Sequence, residues 1–366
     1  MQLVEPKNTL DTGRCNGFSA LFPFFPKQLP DETLYSLVAR FHMLNGGPRV
    51  SATLSLLFGT SYSLSLHTLL PNRIGYLNDR LTASADNSGA DAIERFTCLP
   101  YFRPFLRDSL YETASRSLLT FTNNTSIRSR LGLQSFHSSL PTLQYCSDCR
   151  DQDLLIHGVP YWRRLHQLPM VHVCHMHDHP LTEIPIRVHN RKSGFCSLDL
   201  PPAARSSIPN VYPNCAGARY PIYKRFAEDM YAILHSGITR HVVPQIIYSE
   251  RCRELRYIRS RRVAQSQLAG DLADHYGQNI LDEAGYNVNW LSRSLLKNMR
   301  PNSPQEINNP AAHLLMIGFL FNSFTDFTTY TTPHSIHKSG TTDSSRVPHA
   351  PRKLLTTRES VLHAVR

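Results

Sequence analysis

Four residues carry the clearest chemistry in this sequence. Cys146 and Cys149 lie in Leu143-Gln-Tyr-Cys-Ser-Asp-Cys-Arg150, and Cys174 and His177 lie in Val171-His-Val-Cys-His-Met-His-Asp-His-Pro180. Two close pairs of thiol and imidazole ligands suit the tetrahedral coordination of one structural Zn2+ ion. The x-x spacing lets a single turn present both members of a pair inward. All four positions of such a tetrahedron are filled, so the site folds a module and leaves no open position for hydrolysis. His175 and His179 share the hook and are expected to face solvent or to support the ligands. Cys196 and Cys215 lack close partners and read as isolated thiols.

Other metal and phosphate chemistries leave marks that are missing here. No His-x-Glu precedes the Cys-x-x-Cys pair, as a nucleobase deaminase requires. His-Glu-x-x-His and a phosphate-binding glycine loop with its lysine are absent as well. The expectation is therefore a protein that is not an enzyme. A metal-dependent nuclease built on the imidazoles from His172 to His179 stays open as an alternative, although no carboxylate set stands out to serve it, and so does a zinc-containing DNA-binding transcriptional regulator.

Between the ligand pairs runs His157-Gly-Val-Pro-Tyr-Trp-Arg-Arg-Leu-His-Gln-Leu-Pro-Met-Val171. Trp162 is expected to pack over the metal module with Tyr161 and Leu165 beside it. Arg163, Arg164, His166 and Gln167 could reach phosphates or base edges, or form a solvated polar face. The densest basic stretch is Arg251 to Leu268. In it Arg256, Arg259, Arg261 and Arg262 fall between two predicted helices, and Gln265 and Gln267 open the second. Arginine and glutamine can both make bidentate contacts to base edges, although a charge run is often only a solvated face. Arg293 and Lys297 alternate with Leu291, Leu295 and Leu296 on another predicted helix.

Composition sets the frame for these groups. The chain has 366 residues, long enough for two or three domains, and 41% hydrophobic residues, as in ordinary globular proteins. A formal net charge of +11 favours a polyanion partner, nucleic acid above all, though a merely basic protein would show the same balance. Met1 to Gly13 carries charges and no apolar core of a signal peptide. No run approaches the roughly 20 apolar residues that span a bilayer. A cytoplasmic location without membrane contact is expected, where paired cysteines serve as metal ligands before disulfides.

Helical periodicity dominates the rest. Leu34, Leu37, Val38 and Phe41 follow Asp31, read as an N-cap, and Asn45-Gly46-Gly47-Pro48 stops that helix. A second helix is expected over Val50 to Phe58, closed by Gly59, giving a helix-turn-helix-like pair. Residues 69–76 read as a loop. Helices are expected over Tyr223 to His235, Val243 to Leu255, Ala264 to Tyr276, Trp290 to Met299 and Ala311 to Phe321. The fold class is thus mainly α and multidomain, with helix-turn-helix-like helical domains flanking a small, zinc-stapled, loop-rich module. The expected division is an irregular lead over 1–30, an N-terminal helical domain over 31–135, the zinc-binding module and linker over 136–220, a C-terminal helical domain over 221–330, and a polar, disordered tail over 331–366.

Several blocks together resemble the TniQ family and, within it, TnsD-like proteins. Leu29-Pro-Asp-Glu-Thr-Leu-Tyr-Ser-Leu-Val-Ala-Arg40 is similar to the family's opening helix. Tyr145-Cys-Ser-Asp-Cys149, Gly158-Val-Pro-Tyr-Trp-Arg-Arg-Leu-His-Gln-Leu-Pro169 and Val173-Cys-His-Met-His-Asp-His-Pro-Leu181 are similar to its zinc region. Asp274-His-Tyr-Gly277, Trp290-Leu-Ser-Arg293 and Pro310-Ala-Ala-His-Leu-Leu-Met-Ile-Gly-Phe-Leu-Phe321 resemble the TnsD-type helical region. The resemblance implies a bacterial, nucleoid-associated protein that selects target sites for transposition. It also implies that the protein recruits a TnsC-like AAA+ regulator, which brings the transposase. Some such proteins read a DNA attachment site directly. Shorter ones dock, often as homodimers, on a CRISPR RNA-guided Cascade complex, and the polar tail soon after Phe321 points to that variant.

Overall fold

Helix starts and stops follow local chemistry in the computed structural model, which describes residues 24–46, 49–61, 64, 66, 69–81, 89–120, 125–131, 142–185, 195–198, 210–211, 219–238, 244–259, 262–286 and 307–336. Helix α1 (Leu34–Leu44) starts at Thr33, whose hydroxyl accepts the Ser36 N–H at 3.1 Å, a side-chain N-cap. Asp31 is therefore not the cap that the sequence suggests. It lies two residues upstream with a left-handed φ of 56° and has a different task. Helix α2 (Val50–Phe58) ends as expected at Gly59, in the left-handed conformation that favours glycine. Helix α3 (Ile74–Leu81) begins inside the segment expected to be a loop. Helices α4 (Gly89–Phe96), α5 (Asp108–Leu119) and α6 (Thr125–Arg130) follow, with a 3-10 helix over Leu99–Phe105 before α5.

A small antiparallel sheet then interrupts the helices. Strands β1 (Thr142–Tyr145), β2 (Thr182–Pro185) and β3 (Asn210–Val211) pair in that order, with Tyr145 opposite Thr182. Helix α7 (Ser147–His157) and a 3-10 turn over Leu165–Gln167 lie between β1 and β2. The C-terminal helices are α8 (Tyr220–His235), α9 (Pro244–Glu254), α10 (Gln265–Tyr276), α11 (Gln278–Glu283), α12 (Pro310–Phe321) and α13 (Phe324–Ile336). Between α9 and α10 the chain forms a second antiparallel pair, β4 (Ile258–Arg259) and β5 (Arg262–Val263). The short turn of a helix-turn-helix is thus replaced there by a β-ribbon. The helix expected around Trp290 lies outside the described residues, and α13 runs past the point where the polar tail was expected to begin.

The architecture is mainly helical. The chain divides into two units, Met1–Phe327 and Thr328–Arg366. Within the first, helices from both sides of the sheet share one core. Helix α12 is apolar on every face and almost wholly buried, the pattern of a central helix. On it, His313 stacks on Phe105 of the 3-10 helix at 4.4 Å and meets the Tyr248 hydroxyl of α9 at 3.1 Å. Gly318 leaves room for the Tyr276 hydroxyl of α10, which donates to the Leu315 carbonyl at 2.7 Å; a Cβ at 318 would lie 2.6 Å from that oxygen.

Asp229 of α8 accepts the Phe324 N–H at 2.8 Å and so holds the start of α13. Its second carboxylate oxygen is buried without a hydrogen-bond partner. Burial raises the Asp229 carboxyl to about 7 from an ordinary 3.8. A raised carboxyl favours the protonated folded state, so this contribution to stability is present below about pH 4 and is lost as pH rises through about 7. Asp229→Asn keeps the acceptor and abolishes the charge. The melting-temperature difference between variant and wild type should be near zero at pH 4 and favour the variant by several degrees at pH 8; a difference independent of pH would contradict the assignment.

Candidate metal centre

The sheet register creates the site. Cys146 follows directly on β1, and the hook from Cys174 leads through Leu181 into β2, so the Tyr145–Thr182 pairing brings both ligand pairs to one end of the sheet. Cys146 precedes α7, and Cys149 sits in its first turn, where the Arg150 N–H bonds the Cys146 carbonyl at 3.0 Å. The hook is a tight loop closed by the Val173–Pro180 bridge. The Cys174 N–H donates to the His179 carbonyl, the Asp178 N–H donates to the Cys174 carbonyl, and Asp178 takes a left-handed φ of 55°.

The four ligand atoms lie within 4.8 Å of one another. His177 Nδ1 is 3.5 Å from Cys146 Sγ, 3.4 Å from Cys149 Sγ and 3.6 Å from Cys174 Sγ, and the sulfurs of Cys149 and Cys174 are 3.6 Å apart. A tetrahedral ion about 2.3 Å from sulfur and about 2.0–2.1 Å from nitrogen has ligand–ligand edges of about 3.5–3.8 Å. The donor set therefore fits a tetrahedral metal ion. The thiols are buried and the imidazole half-buried. Three sulfurs this close share protons. Hydrogen bonds from Cys146 and Cys149 pull the Cys174 thiol far down, while those with Cys146 and Cys174 push Cys149 up. Burial opposes a charge on His177, but hydrogen bonds to Cys174 and Cys146 outweigh it and raise the imidazole.

The other imidazoles of the hook serve separate partners and do not converge on a second site. His172 pairs with Glu283 of α11, which also accepts from the Tyr223 hydroxyl at 2.5 Å. His175 stacks on Tyr231 of α8 at 4.3 Å, and burial pulls it down to about 4. His179 is exposed and pairs with Asp148 at 2.7 Å. Asp178 receives Lys224 of α8 at 2.6 Å, and its carbonyl accepts the Tyr220 hydroxyl. The hook is thereby fastened along α8 and reaches α11.

The loop between the ligand pairs departs from its expected role in nucleic-acid contact. Arg163 pairs with buried Asp153 at 2.5 Å and lies over the Tyr161 ring. Arg164 is 10% exposed; its Nε donates to Asp31 Oδ1 at 3.1 Å, and its Nη1 donates to the carbonyls of Glu94 at 2.5 Å and Thr97 at 2.8 Å. Asp31 Oδ2 accepts the Leu165 N–H, and the Arg164 N–H donates to the Asp31 carbonyl. His166 is buried and drawn down to about 4 by that burial, so it is neutral at pH 7. Gln167 pairs both ways with the Gln144 backbone and extends the edge of β1. Arg164 and His166, buried in this way, cannot also face a phosphate; Arg163 and Gln167 are half-buried and engaged with internal partners. Trp162 does pack as expected, buried edge-on to Tyr145, with its indole N–H on the Cys196 carbonyl at 2.9 Å. Asp31, Glu94 and Glu283 escaped sequence reasoning, because their partners lie far away in the chain and no local spacing marks them.

In the basic segment Arg256 and Gln267 are exposed. Arg259 lies on β4, Arg262 on β5, and Gln265 begins α10. Arg261, Arg293 and Lys297 lie outside the described residues.

Arg164→Lys keeps the charge and removes the fork. We expect a loss of about 2 kcal/mol in denaturant unfolding, and about 3–5 kcal/mol for Arg164→Ala, because Asp31 is left buried and unpaired. A surface contact residue would change stability by no more than about 0.5 kcal/mol, so a result in that range refutes the internal role.

Residues 23–181 match the family model described as TniQ. No curated protein matches the chain. The matched span begins just before Phe24 and ends at Leu181, so it contains all four residues of the Cys/His cluster, the Asp31–Arg164 lock and the α1–α2 pair. No helix among the described residues is long and apolar enough to cross a membrane.

Proposed function

We propose that this chain, whose residues 23–181 match the TniQ family model, belongs to that family, selects target sites in DNA transposition and links the target to a TnsC-like AAA+ regulator. The observation that carries this reading is the coincidence of the family match with a closed cluster of three cysteines and one histidine and its locked loop. Zinc is the proposed ion, since three thiols and one imidazole in a filled tetrahedron suit a structural site of that metal. The ion would fix the hook against β1 and α7 and so present the α8 side of the module to partners. Cys146, Cys149, Cys174 and His177 would hold it.

The target is DNA, read directly or through a CRISPR RNA-guided Cascade complex on which two copies would dock. Direct reading is favoured by the basic β4–β5 region, and its binding would weaken steeply with salt through counterion release. A salt-insensitive association with a protein–RNA complex alone would favour the adaptor variant.

Two measurements decide the core of the proposal. Cys146→Ser should lose bound zinc, melt at a lower temperature and abolish transposition, whereas His177→Cys, which makes the ligand set all-cysteine, should retain metal and activity. The AAA+ regulator should be captured by this chain in a pulldown with target DNA present. Full transposition by the metal-free variant, or no capture of the regulator under any DNA condition, would sink the reading.

A further inference from the structure

Helix α1 turns one face toward the chain that follows α7. Ser36, Ala39, Arg40, Met43 and Leu44 recur at the three- and four-residue spacing of a single helical stripe. That stripe forms one wall of a cavity of about 300 Å³, and Val159, Pro160, Trp162 and Leu198 stand in the others. The walls are fastened to one another. The Trp162 N–H donates to Ser36 Oγ at 3.3 Å, its indole N–H donates to the Cys196 carbonyl at 2.9 Å, and the Cys196 N–H donates to the Tyr35 hydroxyl at 2.8 Å. A cavity held open in this way needs no ordering when a ligand arrives, which lowers the free-energy cost of binding. Its mouth is apolar. Met43 is 53% and Leu44 60% exposed at the end of a helix that is otherwise mostly buried. Leu155 and Ile156, 87% and 72% exposed, directly precede His157, which also lines the cavity. Large apolar side chains left in water beside a preformed cavity are the mark of a protein contact surface.

The cavity also holds an anchor for negative charge. Arg40 Nη1 donates to Glu32 Oε2 at 2.7 Å and to the Lys27 carbonyl at 3.3 Å. Among the described residues Nε and Nη2 have no hydrogen-bond partner, and neither is shut off from solvent. These two nitrogens form one edge of the guanidinium, and a carboxylate takes two parallel N–H donors from such an edge. Glu32 cancels the long-range field of Arg40, so the anchor acts at contact distance and selects by geometry. Glu32 itself is wholly buried, and no carboxylate is among the residues that line the cavity. Lys27, exposed beside the guanidinium, adds a second cation. The surface is therefore complementary to a group that is apolar and acidic at once. A small organic acid would satisfy Arg40 but leave Met43 and Leu44 in water, whereas a peptide covers both.

We propose that the cavity beside α1 is a docking site for an acidic, apolar segment of a partner protein, which seats one large apolar side chain against Trp162 and places a nearby Asp or Glu on the open edge of Arg40. The proposal goes beyond the target-selection reading and does not rest on it. Its test is a selection of random peptides displayed on phage against the full chain, with the Leu44→Glu chain as counter-selection. Leu44→Glu sets a repelling charge at the mouth and should leave the melting temperature unchanged, as exposed substitutions do. Enriched peptides should pair a large apolar residue with an Asp or Glu within one helical turn of it. By fluorescence anisotropy, such a peptide should lose affinity at least about tenfold when its acid becomes the amide. It should lose a similar factor against Arg40→Lys, which keeps a charge for Glu32 and removes the fork. Enrichment of basic or purely polar peptides, no enrichment at all, or equal binding to the Leu44→Glu chain would overturn the proposal. So would a wild-type dimer that Leu44→Glu dissociates in sedimentation, because the face would then belong to a second copy.

Discussion

The fold depends on one buried guanidinium. Arg164 reaches the side chain of Asp31 and the carbonyls of Glu94 and Thr97, and Asp31 in turn accepts the Leu165 N–H. One planar group therefore ties the N-terminal lead, the end of α4 and the loop of the metal region together. Only a guanidinium offers several donors in a rigid fork, so lysine is no substitute. The neighbouring backbone reinforces the lock, through the Glu32–Arg163 bridge and the Thr33 N–H on the Trp162 carbonyl at 2.8 Å. Glu32, fully buried, is matched by Arg40 at 2.7 Å, which fixes α1 to the same segment. Charge buried in this way is weak evidence for net stability but strongly penalises any alternative arrangement that leaves a partner alone.

The Cys146–Cys149–Cys174–His177 cluster and the arginine lock bear on the same loop at different points. The ligand pairs hold its two ends, through β1 and α7 on one side and the hook on the other. The lock holds its middle, around residues 161–168. A loop fixed at its ends alone could still slide, and one fixed only in the middle would fray at the termini, where many backbone groups lack regular partners. The hook passes the constraint on to α8 through Lys224 and Tyr231, and to α11 through His172 and Glu283. The metal region thus connects the helices on both sides of it, in keeping with the shared core around α12.

Much of this was legible in the sequence where the information is local. Helix α2 with its terminal Gly59, helix α12 with its largely apolar run, and the clustering of the two Cys/His pairs all follow from spacing within a few residues. The failures share one cause. Asp31 looked like a cap because Pro30 precedes it and a helix follows, yet Arg164, its partner, is 133 residues away. The α9–α10 connection looked like a turn because a two-residue strand has too few positions to show alternation. Arg163, Arg164, His166 and Gln167 looked like a polar contact surface because one sequence cannot tell a buried, paired arginine from an exposed one.

That last ambiguity bears on how net charge is read. A formal charge of +11 suggests a polyanion partner, but the basic residues it counts divide into two populations. Arg40, Arg163 and Arg164 are neutralised inside the fold by Glu32, Asp153 and Asp31. Each such pair adds nothing to the field felt by a distant phosphate. The excess must then come from cations outside these pairs, the exposed Arg253 and Arg256 among them. Charge balance alone cannot tell the two populations apart; burial takes Arg164 out of any surface contact and leaves Arg163 half-buried against Asp153.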